Sequence, residues 1–132
     1  QKEKNWEEKR HRKVYMSFVS KGWGSEFIWE SNDLYCGKFL NFKEGARFSM
    51  HFHKDKDETW YVLKGKFIVK YIDTKTSEVK EEELGMGATW RNKPLEPHQL
   101  YCLEEGQIIE VSTKDTAEDN YRVFPGDSQK WN

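Results

Sequence analysis

The stretch from Gly45 to Gly65, GARFSMHFHKDKDETWYVLKG, constrains the fold more than any other part of the chain. In a β-strand, side chains two positions apart point to the same face, so His51 and His53 project into one small volume. The segment from Lys54 to Asp57 is polar and turn-forming, which predicts that one strand ends there and that Glu58 opens the next. The pattern therefore predicts a turn-linked pair of strands that brings two imidazoles and a carboxylate together.

A third histidine, His98, lies on a later strand-like run, HQLYCL, which follows a turn bounded by prolines. Imidazole and carboxylate ligands together make a competent shell for a divalent metal ion. We therefore predict one divalent ion, bound by His51, His53, Glu58 and His98. These ligand types do not distinguish Zn, Mn, Fe or Ni. A hydrogen-bonded core position is the alternative for any single histidine, but the joint spacing favours a metal; His11, in a charged leader, is interpreted as an ordinary polar residue.

The chain from Val14 onward alternates short apolar runs with turn residues, which is typical of all-β proteins. The predicted strands are Val14–Val19, Glu26–Trp29, Leu34–Phe42, Phe48–His53, Thr59–Leu63, Lys66–Ile72, Ala88–Arg91, His98–Leu103 and Gln107–Ser112. Lys64 and Gly65 predict a tight hairpin between two of them, and Thr74 to Ser77 predicts the next turn. Regular spacing without helical periodicity predicts a sandwich or a jelly-roll barrel.

Length and charge distribution predict one domain behind a short leader. At 132 residues the chain can bury one core but not two. Residues 1–13 contain six Lys or Arg and three Glu, and their only large apolar residue is Trp6. We therefore expect a charged N-terminal segment at 1–13 and a single domain at 14–132; a solvated leader is favoured over a binding element.

The composition excludes several classes of partner. A formal net charge of −1 gives no overall attraction to nucleic acid. The sequence contains neither an apolar run of membrane-spanning length nor a signal peptide, so we expect a soluble, cytoplasmic protein without a membrane partner. Cys36 and Cys102 lie on separate predicted strands, and two cysteines do not make a disulfide framework, so we predict two reduced thiols.

The alternation of side chains predicts what else faces the metal. If His51 points inward, Arg47 and Ser49 do too, and the same reasoning on the later strands turns Trp60 and Cys102 inward. The predicted substrate pocket is therefore lined by Arg47, Ser49, Trp60 and Cys102. A guanidinium inside a barrel is costly unless it meets an anion, which is either an internal carboxylate or an anionic substrate. Lys43, Lys54 and Lys56 are interpreted as solvated loop charges.

The spacing of Gly45, His51, His53, Glu58 and Gly65 resembles the first signature motif of the cupin superfamily. The segment that ends at His98 resembles the second motif, but Leu95 stands where that motif usually has glycine, so we expect this turn to be built differently. The resemblance implies a double-stranded β-helix, the jelly-roll barrel of cupins.

A narrower resemblance is to the cupin domain of type II mannose-6-phosphate isomerases. It is carried by Lys21–Ser25, Gly45–Ser49, Glu58–Trp60, Glu110–Val111 and Glu118–Arg122. The nucleotidyltransferase domain that usually precedes this domain is not in the sequence. The metal stretch of that family reads Gln-x-His-x-His-x-x-Glu, whereas here His51 replaces the glutamine and Asp55 the second histidine.

This resemblance implies a metal-dependent sugar-phosphate isomerase with a phosphorylated sugar as substrate, with Arg47 as a catalytic residue and with a homodimer as the assembly. Two alternatives stay open on the same ligand set. One is a non-catalytic sugar-binding cupin, and the other is a small iron-dependent oxygenase.

Overall fold

A computed structural model describes residues 16–129, which form nine β-strands and one short 3-10 helix at Asp127–Gln129. The strands are β1 (Ser17–Lys21), β2 (Gly24–Ser31), β3 (Tyr35–Phe42), β4 (Met50–Phe52), β5 (Glu58–Ile72), β6 (Val79–Leu84), β7 (Thr89–Asn92), β8 (His98–Thr113) and β9 (Tyr121–Phe124). The prediction of an all-β fold is confirmed. The predicted leader at 1–13 lies outside the described residues.

All nine strands belong to one curled antiparallel sheet. Strands β1, β2 and β3 form a meander, and β3 pairs with the second half of β8. Strand β5 pairs with β8 along its whole length, from Glu58 opposite Ser112 to Tyr71 opposite His98. The start of β8 also pairs with β4, which continues the sheet to β9. Two long strands therefore tie the ends of the barrel together, as expected for the jelly-roll cupin fold.

The predicted hairpin at Lys64 and Gly65 is wrong, because these residues lie inside the continuous strand β5. The register of β5 on β8 shifts around Lys64, which marks a bend and not a reversal of the chain. Gly65 has a φ of 90°, and a Cβ there would lie 2.7 Å from the carbonyl oxygens of Glu104 and Glu105. Glycine is required for this close approach of two backbones. The Lys64-Gly65 pair, which predicted a turn, instead marks a bend within a strand.

The core inside the barrel is rich in aromatic rings. Trp23 stacks on Phe42 with ring centroids 4.5 Å apart, and Phe48 contacts the edge of Trp60 at 5.8 Å. Such pairs add about 0.5–1.5 kcal/mol each beyond the area they bury. Trp23, Phe48 and Trp60 belong to this core and also line the cavity described below.

Cys36 and Cys102 are both buried free thiols, as predicted. Burial raises the pKa of Cys102 to about 11, so this thiol is unreactive at neutral pH. No helix within residues 16–129 is long and apolar enough to cross a membrane.

Candidate metal centre

Three histidines meet at one end of the barrel. His51 lies on β4 and His98 opens β8, and the two are direct partners across the sheet. His53 follows β4 by one residue. One nitrogen from each ring lies within 4.8 Å of the nitrogens of the other two, so a single ion can contact all three. The structure therefore brings together the three predicted imidazoles.

Hydrogen bonds at Nδ1 fix the orientation of two of these rings. Nδ1 of His53 donates to the carbonyl oxygen of Asp119 at 2.6 Å, and Nδ1 of His98 donates to the carbonyl oxygen of Glu96 at 2.8 Å. A neutral imidazole that donates from Nδ1 carries its lone pair on Nε2. Metal-binding histidines are characteristically held this way, because the outer bond sets both the tautomer and the ring orientation.

The protonation state of the cluster also suits a metal. Burial, and then the neighbouring imidazoles, lower the pKa of His51 well below its usual value. Burial likewise lowers the pKa of His53, although Glu58 partly opposes the effect. Because a histidine must be neutral to bind a metal, these two rings are ready to act as ligands at neutral pH.

The Glu58 carboxylate contacts the histidine cluster at His98. Its Oε2 atom lies 3.0 Å from Nε2 of His98, yet this buried nitrogen makes no hydrogen bond. Because Nδ1 of His98 holds the proton, a nitrogen lone pair faces a carboxylate oxygen. Two electron-rich atoms at this separation are accommodated by a cation between or beside them, so this orphaned nitrogen supports a metal at the site.

The Glu58 carboxylate is oriented by two other side chains. Lys56 Nζ lies 3.2 Å from Oε1, and Nδ2 of Asn92 donates to Oε2 at 3.0 Å. Asn92 in turn accepts a hydrogen bond from Nε1 of Trp90 at 2.9 Å. Burial raises the pKa of Glu58, but the positive charge of Lys56 acts in the opposite direction, and the pKa lies well below its usual range. The group is therefore an anion at neutral pH.

A cavity of about 330 Å³ opens beside the cluster. Ser49 and Trp60 line it as predicted, together with the rings of Trp23 and Phe48. Ser49 Oγ lies 2.9 Å from Nδ1 of His51, so this residue both faces the cavity and contacts a histidine.

Lys56 is not a solvated loop charge, contrary to the prediction. Its side chain is 4% exposed, and its ammonium lies 2.8 Å from Glu110, 3.2 Å from Glu58 and 3.4 Å from Asp115. Burial lowers the pKa of Lys56, but these carboxylates raise it more, so it stays charged. The turn after His53 therefore delivers a cation into the cavity wall.

A second buried lysine, Lys38, extends this network. Its ammonium lies 2.7 Å from Asp115 and 3.3 Å from Glu26. Glu110 joins the network to the aromatic wall by accepting a hydrogen bond from Nε1 of Trp60 at 3.3 Å. Paired and hydrogen-bonded in this way, the buried charges escape most of the penalty that isolated ones would incur.

Two predicted pocket residues do not line the cavity. Arg47 is exposed, and its guanidinium lies 5.7 Å from the centre of the Tyr101 ring. Its predicted inward orientation is wrong because β4 begins only at Met50, so strand alternation does not extend back to Arg47. Cys102 is fully buried in the apolar core, where its thiol donates to the carbonyl oxygen of Glu104. The catalytic assignment of Arg47 therefore has no support from its position.

The turn before His98 is also different from the expectation. Leu95 adopts a φ of 71°, the left-handed conformation that glycine favours. Its N–H donates to the carbonyl oxygen of His53 at 2.7 Å. Leucine therefore adopts the backbone conformation that glycine favours, and no different turn is needed. The hydrogen bond also links the turn before His98 to the segment that carries His53.

Sequence reasoning missed four charged residues of the cavity, although two of the four carried a signal in the sequence. Lys38 shares strand parity with the inward Leu40, and Glu110 shares it with the inward Ile108. A charged residue at a core-facing position is such a signal. Lys56 and Asp115 lie in loops, where alternation gives no information.

Asp119 lies in a segment that carries the family resemblance, but sequence reasoning gave it no role at the site. Besides holding His53 through its carbonyl, it accepts hydrogen bonds from the backbone N–H groups of Lys54 at 2.6 Å, Asp55 at 3.2 Å and Lys56 at 3.0 Å. One residue therefore fixes both a histidine of the cluster and the turn that positions Lys56.

Comparison with known proteins agrees with this geometry. The sequence profile described as Mannose-6-phosphate isomerase C-terminal matches residues 3–119. No curated protein sequence matches the chain.

Among solved structures, the chain is similar to oxalate decarboxylase from Bacillus subtilis, a protein with Mn(II) centres, at a TM-score of 0.73 and 17% identity. A structure of the same enzyme at pH 4.6 matches with a TM-score of 0.71 and 20% identity. Both matches cover 82% of this chain but only 30% of the other. At this identity the likeness shows the cupin fold alone.

Proposed function

Because the chain belongs to the mannose-6-phosphate isomerase C-terminal family of cupins, we propose that it is a metal-dependent sugar-phosphate isomerase. The proposed metal ligands are His51, His53, Glu58 and His98. The proposed substrate is a small phosphorylated sugar, and the reaction interconverts its aldose and ketose forms.

The observation that carries this proposal is the orphaned Nε2 of His98, which is buried and faces the Glu58 carboxylate inside a three-histidine cluster. A hydrogen-bonded core would leave no such atom unsatisfied. A bound divalent ion would act as a Lewis acid toward carbonyl and hydroxyl oxygens, which is the chemistry that aldose–ketose isomerisation needs.

The chain's own residues supply the rest of the site. Lys56 and Asn92 hold the Glu58 carboxylate in place. Trp23, Phe48 and Trp60 form an apolar wall that limits the space open to water. Isomerisation also moves a proton between neighbouring carbons, and Glu110, a buried carboxylate that lines the cavity and is not a proposed metal ligand, is the group suited to that transfer.

The test combines metal analysis with an activity assay. Protein purified without added metal is measured for bound ions, loaded with each candidate metal, and assayed for interconversion of mannose-6-phosphate and fructose-6-phosphate. We expect turnover that EDTA abolishes and that His53→Ala lacks. Binding of the sugar phosphate without turnover would support the sugar-binding alternative. The absence of both binding and turnover would reject the proposal.

A further inference from the structure

The charged residues that line the cavity fall into two groups that differ in burial. Four charged residues of the wall are almost inaccessible to water, namely Lys38, Lys56, Glu58 and Glu110. Glu26 and Asp115 complete their ion pairs, with side chains 16% and 23% exposed. We call these six residues the inner wall. Two further cations line the same cavity: Lys21 is half-buried and Arg122 is exposed. We call this pair the mouth.

Both cations of the inner wall are already neutralised. Lys56 contacts three carboxylates within 3.4 Å, and Lys38 contacts two within 3.3 Å. Lys56 has one carboxylate for each of its three N–H groups, and two carboxylates offset the single charge of Lys38, so neither ammonium presents an uncompensated charge to an anionic ligand. An incoming carboxylate or phosphate would also meet the four acidic side chains of the inner wall at short range, where a low dielectric strengthens repulsion.

The charge count of the inner wall points the same way. Its four carboxylates exceed its two lysines by two negative charges, which a divalent ion at the histidines would balance. A neutral ligand preserves that balance, whereas a buried anion upsets it at a large cost.

The mouth has the opposite character. Within residues 16–129, neither Lys21 nor Arg122 forms an ion pair, and both face the cavity. Arg122 is the cross-strand partner of His51, so its side chain lies at the rim above the histidine cluster. Two unpaired cations match the charge of a phosphate dianion, and a guanidinium also matches its geometry.

We propose that the inner wall is a subsite for uncharged hydroxyl and carbonyl groups that excludes anions, and that the mouth holds the phosphate of the same ligand through Lys21 and Arg122. This inference rests on the proposed function and orients its substrate: the reacting, uncharged end enters toward the histidines, and the phosphate stays outside. Small dianions without a neutral end, such as oxalate, are excluded.

The inner wall is tested on the Co(II)-loaded full chain, whose visible absorption reports ligands at the metal. Oxalate at millimolar concentration should leave the native spectrum unchanged. Asp115→Asn removes a carboxylate shared by Lys38 and Lys56, and should increase oxalate affinity by about tenfold. Glu26→Gln, which removes one of the two carboxylates of Lys38 and none of those of Lys56, serves as a second variant if the first is unstable. Asp33→Asn, at an exposed position, is the matched control. Tight oxalate binding to the native site would overturn the subsite.

The mouth is tested by calorimetry with mannose-6-phosphate and mannose on the metal-loaded chain. Arg122→Gln and Lys21→Gln should each weaken binding of the phosphorylated sugar by about tenfold and leave mannose unaffected, whereas Lys43→Gln should change neither. Unchanged phosphosugar affinity in both variants would overturn the mouth assignment while leaving the isomerase proposal intact. Absence of phosphosugar binding to the native protein would overturn the mouth and the proposed function together, and the oxalate titration would still decide the inner wall.

Discussion

Lys56 is a residue whose replacement should strongly lower the stability of the fold. Replacing it with methionine, which has a similar length, leaves Glu58, Glu110 and Asp115 without their shared cation. Removing one partner of a buried ion pair typically costs about 3–5 kcal/mol. We expect Lys56→Met to lower the free energy of unfolding by an amount in this range, measured by urea titration.

The neighbouring Lys54 is the matched control, because its side chain is exposed and forms no ion pair within the described residues. Lys54→Met should change the free energy of unfolding by less than about 0.5 kcal/mol. Equal effects of the two substitutions would contradict the buried position of Lys56.

His53 provides the corresponding test of metal binding. His53→Ala removes one of the three clustered nitrogens and should lower the metal content measured by elemental analysis to a small fraction of the native value. Glu58→Gln keeps the size of the side chain but removes its charge, and should weaken metal affinity without abolishing it. Full occupancy in a His51→Ala, His53→Ala double variant would reject the site.

At the residue scale, the sequence predicted those positions whose environment is set by local alternation. His51, His53, Glu58 and Trp60 lie on or next to regular strands, and their inward orientation is as predicted. Arg47 lies beyond the end of a strand, where alternation no longer applies.

Leu95 shows a different limit of prediction. A leucine in a left-handed conformation costs about 1–2 kcal/mol, so the residue preference argues against the turn that is formed. The hydrogen bond from the Leu95 N–H to the carbonyl oxygen of His53 offsets part of this cost. Such tertiary compensation has no local signal in the sequence.

At the scale of elements, the turn between β4 and β5 depends on a residue more than sixty positions away. Asp119→Ala removes the carboxylate that accepts the N–H groups of Lys54, Asp55 and Lys56. Asp119→Ala keeps the backbone carbonyl that accepts from His53 but releases the turn that directly follows this histidine. We therefore expect a loss of about 10-fold in metal affinity, the lower end of the range for residues that support metal ligands.

The control for this prediction is Glu118→Ala, an exposed neighbour on the same segment. It should leave metal affinity unchanged when both variants are titrated with a competing chelator. Native metal affinity in Asp119→Ala would show that the turn holds its shape without this carboxylate.

The strands that the sequence failed to predict share a physical reason. Strand β6 reads VKEEEL and buries only Leu84, so its apolar pattern is too weak to identify. Strand β9 is exposed at every position and is ordered by pairing with β4. Both are edge strands that bury almost no apolar side chain and depend on the strand they pair with, whereas β3, with four buried side chains of its own, was predicted to within one residue.

At the scale of the whole molecule, the buried histidines make stability depend on pH. The pKa values of His51 and His53 are lowered in the folded protein from 6.5, their usual value in the unfolded chain. Below that pH the unfolded state binds protons that the folded state resists, so stability is complete above about pH 6.5 and falls as the pH decreases. The slope is at most about 1.4 kcal/mol per pH unit for each histidine.

The measurement is thermal unfolding of the metal-free protein between neutral and mildly acidic pH. We expect the melting temperature to fall on acidification, and a His51→Gln, His53→Gln variant to lose most of this dependence. A melting temperature that rises on acidification in this range would contradict the neutral state of both rings.

The excess of two carboxylates over lysines beside the histidines also connects this protein to the metal supply of its cell. An ion that binds only the folded chain stabilises it by about 2.7 kcal/mol at a concentration a hundred times its dissociation constant. The metal-starved form would open more often and be degraded faster, so abundance would follow metal availability without any change in synthesis. Faster proteolysis after chelation, restored by adding the metal back, is the expected sign of this coupling.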